Sequence, residues 1–105
     1  VLETALDAAS AVPLQIMEKC AEGIALAGQY AAKGSVLAVS DAGCAAVLCK
    51  AALQAASLNV FVNTGLMADR ARAAALDARA DTLLEGYLPR ADAVFAAITG
   101  KLRKY

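Results

Sequence analysis

The sequence predicts an all-α protein, an antiparallel helical bundle completed by oligomerisation. Three observations carry that prediction. The 105 residues include only two prolines and about a quarter alanine, the residue with the highest helix propensity. Apolar residues recur at 3-4 spacing over long windows, and no alternating stretch of useful length suggests a strand. The chain is 60% hydrophobic and only 19% charged, a balance that places part of its apolar surface in an oligomer interface. The length fits a single helical domain, residues 1–105, just large enough to bury a core.

Taken in order, residues 1–11 read as a short helix that Pro13 interrupts, with Ser10 as an N-cap for the helix that follows. From Pro13 to Lys33, Met17, Cys20, Ile24, Ala27 and Ala31 share one apolar face. Gln15, Glu18, Glu22, Gln29 and Lys33 take the other side, and Gly34 stands where a helix terminates. Ser40-Asp41 then resembles a helix start, and the helix it opens runs to about Gly65. On a 100° wheel Lys50, Gln54 and Ser57 form its solvated edge. Asn59 and Asn63 lie on the opposite, apolar side with Ala45, Leu48, Ala52, Ala55 and Ala56. A further helix starts near Met67, with Leu66, Ala73, Leu76, Ala80, Leu83 and Tyr87 on its buried side. The charged residues from Asp69 to Glu85 form its wet face, and Leu88-Pro89 breaks or kinks it. Residues 91–102 form a last helical segment, with Lys101 and Arg103 complementing the negative end of the helix dipole.

Composition excludes several function classes. Ten acidic and ten basic residues are interspersed, so no basic patch invites nucleic acid. No uninterrupted apolar run approaches the ~20 residues of a membrane span, and no secretory leader pattern is visible. A membrane partner is therefore not expected, and a cytoplasmic location is. There is no histidine, which rules out Ser-His-Asp and Cys-His catalysis and a His-ligated metal. Phosphate-cradling glycine motifs are absent. Cys20, Cys44 and Cys49 are odd in number and lack CxxC spacing, and they read as small buried hydrophobes in a reducing compartment.

The candidate site residues are polar groups on the helix opened by Ser40. Asp41 reads first as a helix start, and second as part of a turn whose free N–H groups could hold an anion. Asn59 and Asn63 form an i, i+4 pair. A buried amide without partners costs about 1–3 kcal/mol, so the pair either bridges to a neighbouring helix or grips a planar polar ligand. Asp41 and Asn59 are separated by about 27 Å along a straight helix. Both can serve one small site only if a second subunit closes it or the ligand is long.

Three ordered pieces carry a family resemblance. They are Val12-Pro13-Leu14 with Glu18-Lys19-Cys20, then Val39-Ser40-Asp41-Ala42-Gly43, then Leu58-Asn59-Val60 with Asn63. Together they resemble the C-terminal half of the formimidoyltetrahydrofolate cyclodeaminase family, which includes methenyltetrahydrofolate cyclohydrolase. The resemblance implies an all-helical homodimer that binds a tetrahydrofolate derivative as substrate. It also implies either ammonia loss as a ring closes or hydrolysis of a methenyl bridge. By the same resemblance Ser40, Asp41, Asn59 and Asn63 are ligand contacts, while the family's glycine-rich helix and catalytic aspartate belong to an N-terminal half not represented here. Family members usually carry Arg where this chain has Phe61. The rival from another class is a non-enzymatic helical oligomerisation module whose apolar surplus is its interface. A lipid-associated amphipathic helix fits less well, since residues 41–63 are apolar on most sides.

Overall fold

The computed structural model describes residues 2–33 and 36–103. Three long helices account for nearly all of them: α1 (Leu2–Lys33), α2 (Val36–Gly65) and α3 (Arg70–Leu102). They run up, down and up as an antiparallel bundle, and no strand occurs among the described residues. Gly34, expected to end the first helix, lies outside the described residues.

Five expected helical segments thus merge into three, because neither proline ends a helix. Pro13 lies inside α1 and Pro89 inside α3. A proline in a helix removes one N–H and strands the carbonyl four residues earlier, which for Pro13 is Ala9. Asn63 on α2 donates its side-chain Nδ2–H to that carbonyl at 3.1 Å. Ser10 is not an N-cap. It is fully buried, and its hydroxyl donates to the Leu6 carbonyl at 2.9 Å within the same helix.

The core runs along the bundle in two adjoining clusters. Leu14, Met17 and Ile24 of α1 meet Leu53 and Val60 of α2 and Ala73, Leu76 and Ala80 of α3. Towards the other end, Ala27 and Ala31 pack with Val39, Ala42, Ala46 and Ile98. Of the expected apolar faces of α1 and the third helix, Met17, Ile24, Ala27, Ala31, Ala73, Leu76 and Ala80 are buried and Cys20, Leu83 and Tyr87 partly so, whereas Leu66, in the α2–α3 connection, is 67% exposed. Small residues bring the axes close. A Cβ added to Gly43 would sit 3.2 Å from Ile98 Cγ2.

The connection from α2 to α3 is tightly built. The Arg70 guanidinium donates to the Thr64 and Met67 carbonyls at 2.8 and 2.9 Å, closing the end of α2 with a cation. Asp69 caps α3 by accepting the Arg72 N–H at 3.0 Å. Glu3, from the start of α1, accepts the backbone N–H groups of Ala68 and Asp69. At the far end, Lys101 of α3 donates to the Ala31 carbonyl of α1 at 2.5 Å.

The orientation of α2 departs from the sequence expectation at most of the named positions, although Gln54 is exposed and Ala56 buried as expected. Ser57, assigned to the solvated edge, is buried and donates to the Gln54 carbonyl at 2.6 Å. Lys50 turns to α3 and pairs with Asp92 at 2.7 Å. The apolar side carrying Ala45, Leu48, Ala52, Ala55 and Asn59 is the exposed one. Interruptions such as Lys50 keep each apolar run short, yet over Ala38–Gly65 the helix is long and apolar enough in composition to cross a membrane. Most of that stretch is not buried, so α2 is not the enclosed core helix its composition suggests.

Candidate functional site

The sequence-predicted site residues all belong to α2 and occupy its two ends. α2 begins at Val36, so Ser40 and Asp41 stand inside the helix rather than at its start. This corrects the helix-start reading: an N–H four residues into a helix already bonds to a carbonyl one turn back. Anion binding by a free turn at Asp41 is therefore lost, and what these residues offer is their side chains. Asp41 is exposed and Ser40 half-buried.

Ser40 borders an apolar groove of about 450 Å³ between α2 and α3, with Cys44, Leu48, Phe95, Ile98 and Leu102 among its other walls. The groove is open to solvent through large apolar side chains, with Leu48 68% and Phe95 53% exposed. Its walls offer the Ser40 and Thr99 hydroxyls and little else that is polar, so it is suited to a flat apolar group rather than to a charge.

The asparagine pair divides in role. Asn59 is exposed, its amide standing on the uncovered apolar face. Asn63 is half-buried and ties α2 to α1 through the Ala9 carbonyl. The bridging role foreseen for these amides is thus filled by Asn63, while Asn59 keeps an amide free to meet something outside the bundle. Ser40 and Asp41 lie together at one end and Asn59 and Asn63 at the other, and one chain does not join the two pairs. Phe61 is half-buried and packs against the core, so the position where the family usually has Arg contributes packing here.

The cysteines are less enclosed than expected. Cys44 is exposed, and Cys20 and Cys49 are half-buried. Cys20 and Cys49 border one shallow depression, with Val12, Gln15, Ile16 and Lys19 completing it. Burial pushes the Cys20 thiol above its usual range, and the neighbouring Cys49 adds to the shift, which keeps it a thiol rather than a nucleophilic thiolate.

A second polar feature was not foreseen. Glu3, Thr4 and Asp7 of α1 face Met67, Asp69 and Arg72 across a cleft of about 380 Å³. Arg72 forks onto Asp7 with Nε and Nη2 at 2.8 and 3.1 Å from the two carboxylate oxygens. Those hydrogen bonds hold the Asp7 carboxyl below its ordinary value against desolvation, and the guanidinium charge adds to the lowering. Arg72 is raised in return. The charges are internally matched and serve the junction of α1 with α3. With the partners 65 positions apart in sequence, no local spacing could have indicated the pair.

Comparison with known proteins agrees with the resemblance read from the three motifs. Residues 1–82 match the family described as formiminotransferase-cyclodeaminase. Over 70 residues the chain is 43% identical to a methenyltetrahydrofolate cyclohydrolase of Methylorubrum extorquens. That match covers 67% of this chain and 34% of the relative, so the chain spans about a third of the curated relative's length. With more than half of its residues matched by the family and this relative beside it, the chain belongs to the formiminotransferase-cyclodeaminase family.

Proposed function

We propose that the chain supplies one wall of a folate site in an enzyme of one-carbon metabolism, acting as a methenyltetrahydrofolate cyclohydrolase or a formimidoyltetrahydrofolate cyclodeaminase. The observation that carries this reading is the 43% identity to a methenyltetrahydrofolate cyclohydrolase across the helices that hold the site residues. The same relative favours hydrolysis over ammonia loss. In hydrolysis, water adds to the methenyl carbon, one of its two C–N bonds breaks, a formyl group stays on the other nitrogen, and a proton is released. Asn59 supplies its free amide, and Asn63 the part of its amide not given to Ala9, for a pterin-like edge, and Ser40 and Asp41 supply a hydroxyl and a carboxylate at the other end of α2. No catalytic group is assigned within these 105 residues, and the acid–base step belongs to a carboxylate supplied from outside them. The working unit is a cytoplasmic homodimer.

The test is titration with tetrahydrofolate and with its methenyl form, followed by absorbance and by heat. Saturable binding that weakens at least tenfold in Asn59→Ala supports the reading, and the absence of binding at millimolar ligand overturns it. The uncovered apolar face of α2 favours the second reading, a non-enzymatic assembly module. On that reading Asn59→Ala changes assembly or melting temperature and no folate signal exists.

A further inference from the structure

We propose that Cys20 of α1 and Cys49 of α2 form a two-thiolate site for a soft, two-coordinate cation of the Cu(I) class, which bridges the two helices. This goes beyond the folate reading and does not depend on it.

The two thiols share one place in the fold. Both are free and half-buried, and both pack against the main core cluster. Both also border the same open depression, where Val12 and Ile16 supply apolar walls and solvent gives a route of entry. Cys44 does not join them, since it stands on the wall of the α2–α3 groove.

Gly23 shows where one of the sulfurs points. A Cβ at Gly23 would lie 2.8 Å from Cys49 Sγ and 3.9 Å from Cys49 Cβ. The sulfur is thus aimed at α1 rather than out to solvent. Cys20 precedes Gly23 by one helical turn, an i, i+3 step that sets Cβ positions about 5–6 Å apart on one face. Cys49 therefore projects onto α1 one turn along from Cys20 and not directly opposite it.

That stagger selects the chemistry. A disulfide needs Cβ atoms about 3.5–4.5 Å apart and sulfurs in bonding contact. A cation held in line by two thiolates, with bonds of about 2.3 Å as for zinc and sulfur, accepts sulfurs about 4.6 Å apart. The ligand set points the same way. Among the described residues no group of three or more His, Cys, Asp or Glu could hold a metal, so the four-ligand cage of structural zinc is not available. A pair of thiolates favours a soft cation such as Cu(I).

The charges balance. Two thiols and one Cu(I) give a bis-thiolate complex with one negative charge and release two protons to solvent. Lys19 borders the same depression as a cation, with Glu22 its near neighbour at 3.2 Å. Without metal, burial raises the Cys20 thiol and the neighbouring Cys49 raises it further. A cation between the sulfurs turns that mutual repulsion into attraction.

Anaerobic titration of the Cys44→Ala chain with Cu(I), against a chromophoric Cu(I) chelator, tests the proposal. One Cu(I) should bind per chain, with thiolate-to-copper charge-transfer absorption in the ultraviolet and a higher melting temperature. Cys20→Ser and Cys49→Ser should each reduce binding to that of a chain lacking both thiols, with far-UV circular dichroism unchanged. Gly23→Ala keeps both thiols but pushes Cys49 Sγ aside, and should weaken binding by about tenfold, as a change beside a metal ligand does. Binding that survives either serine substitution, or one copper shared by two chains, overturns the site. A Gly23→Ala chain that binds as tightly as its parent overturns the placement of the metal beside Gly23. Ready closure of a Cys20–Cys49 disulfide by hydrogen peroxide, with the spectrum of the native chain retained, would put the sulfurs in direct contact and overturn the stagger. None of these results depends on the folate titration.

Discussion

Asn63 donates its side-chain amide to the Ala9 carbonyl across 54 residues of sequence, at 3.1 Å. Ala9 is the residue whose helical acceptor loses its partner because Pro13 has no N–H. One amide on α2 therefore restores the hydrogen bond that a proline removed from α1, and α1 continues through Pro13 instead of stopping there. The motif pieces containing Pro13 and Asn63 are coupled by this contact.

The first prediction follows from that coupling. Asn63→Ala should lower stability by about 1 kcal/mol, the net worth of a hydrogen bond at a partly hydrated site. In a Pro13→Ala background the residue-13 N–H returns to Ala9, and the same substitution should become nearly neutral. Urea unfolding of the four chains measures the cycle. Equal losses in both backgrounds would show that Asn63 acts through something other than the stranded carbonyl.

Thr64 presents a related case beside it. The residue is 1% exposed, and its hydroxyl lies 2.6 Å from Asp77 Oδ1, joining the last turn of α2 to α3. Its one proton goes there, since the Phe61 carbonyl is farther off at 3.3 Å. Thr64→Val keeps the shape and removes the donor, leaving a half-buried carboxylate without it. A loss of about 1.5–3 kcal/mol is expected, as for hydrogen bonds to charged groups. Thr64→Ser should recover most of it. Chemical unfolding monitored by circular dichroism would decide, and a neutral Thr64→Val would mean that water satisfies Asp77 equally well.

These two contacts also show where sequence reading reached its limit. Periodicity identified the faces of α1 and α3 because Met17, Ile24, Ala27 and Ala31, or Ala73, Leu76 and Ala80, are each flanked by charge on the other side. In α2 the same wheel placed Gln54 and Ala56 on the right sides but misassigned most of the other positions. Ser57 and Lys50 find partners inside the bundle, while alanines and Leu48 face out. A wheel records contrast between faces and carries no sign when both are rich in alanine. The helix breaks expected at Pro13 and Pro89 failed for a different reason. For Pro13, the group that repairs the break lies on another helix, and local propensity cannot register it. Of the site, the residue types and their two separate locations were legible. The division of labour between Asn59 and Asn63 was not, because it depends on which amide meets α1.

The Asp7–Arg72 fork gives a pH prediction. Hydrogen bonds from Arg72 hold the Asp7 carboxyl below its ordinary value of 3.8. A carboxylate with a depressed folded value binds fewer protons folded than unfolded near that pH, so it adds stability above 3.8 and loses it as pH falls through the lower, folded value. Melting temperatures of wild type and Asp7→Asn should therefore differ by a constant amount above about pH 5. The gap should narrow below the ordinary value and close in stronger acid. Added salt should shrink the plateau, because both side chains are partly exposed. A gap that widened towards acid would reverse the assigned sign.

A close approach of α1 to α2 at Gly23 yields the last prediction. A Cβ placed on Gly23 would stand 2.8 Å from Cys49 Sγ and 3.9 Å from Cys49 Cβ. The sulfur alone is therefore in the way, and the glycine is there to admit it. Glycine within a helix is about 1 kcal/mol less favourable than alanine, so two effects oppose each other in Gly23→Ala. In the wild-type background Cys49 must rotate or α1 must withdraw, and the propensity gain is offset. In a Cys49→Ala background the obstruction is gone and the remaining Cβ contact is ordinary. There Gly23→Ala should stabilise by about 1 kcal/mol relative to Cys49→Ala alone. Thermal unfolding of the four chains gives the coupling directly. If Gly23→Ala has the same effect with and without the sulfur, the close contact does not control how near α1 and α2 approach.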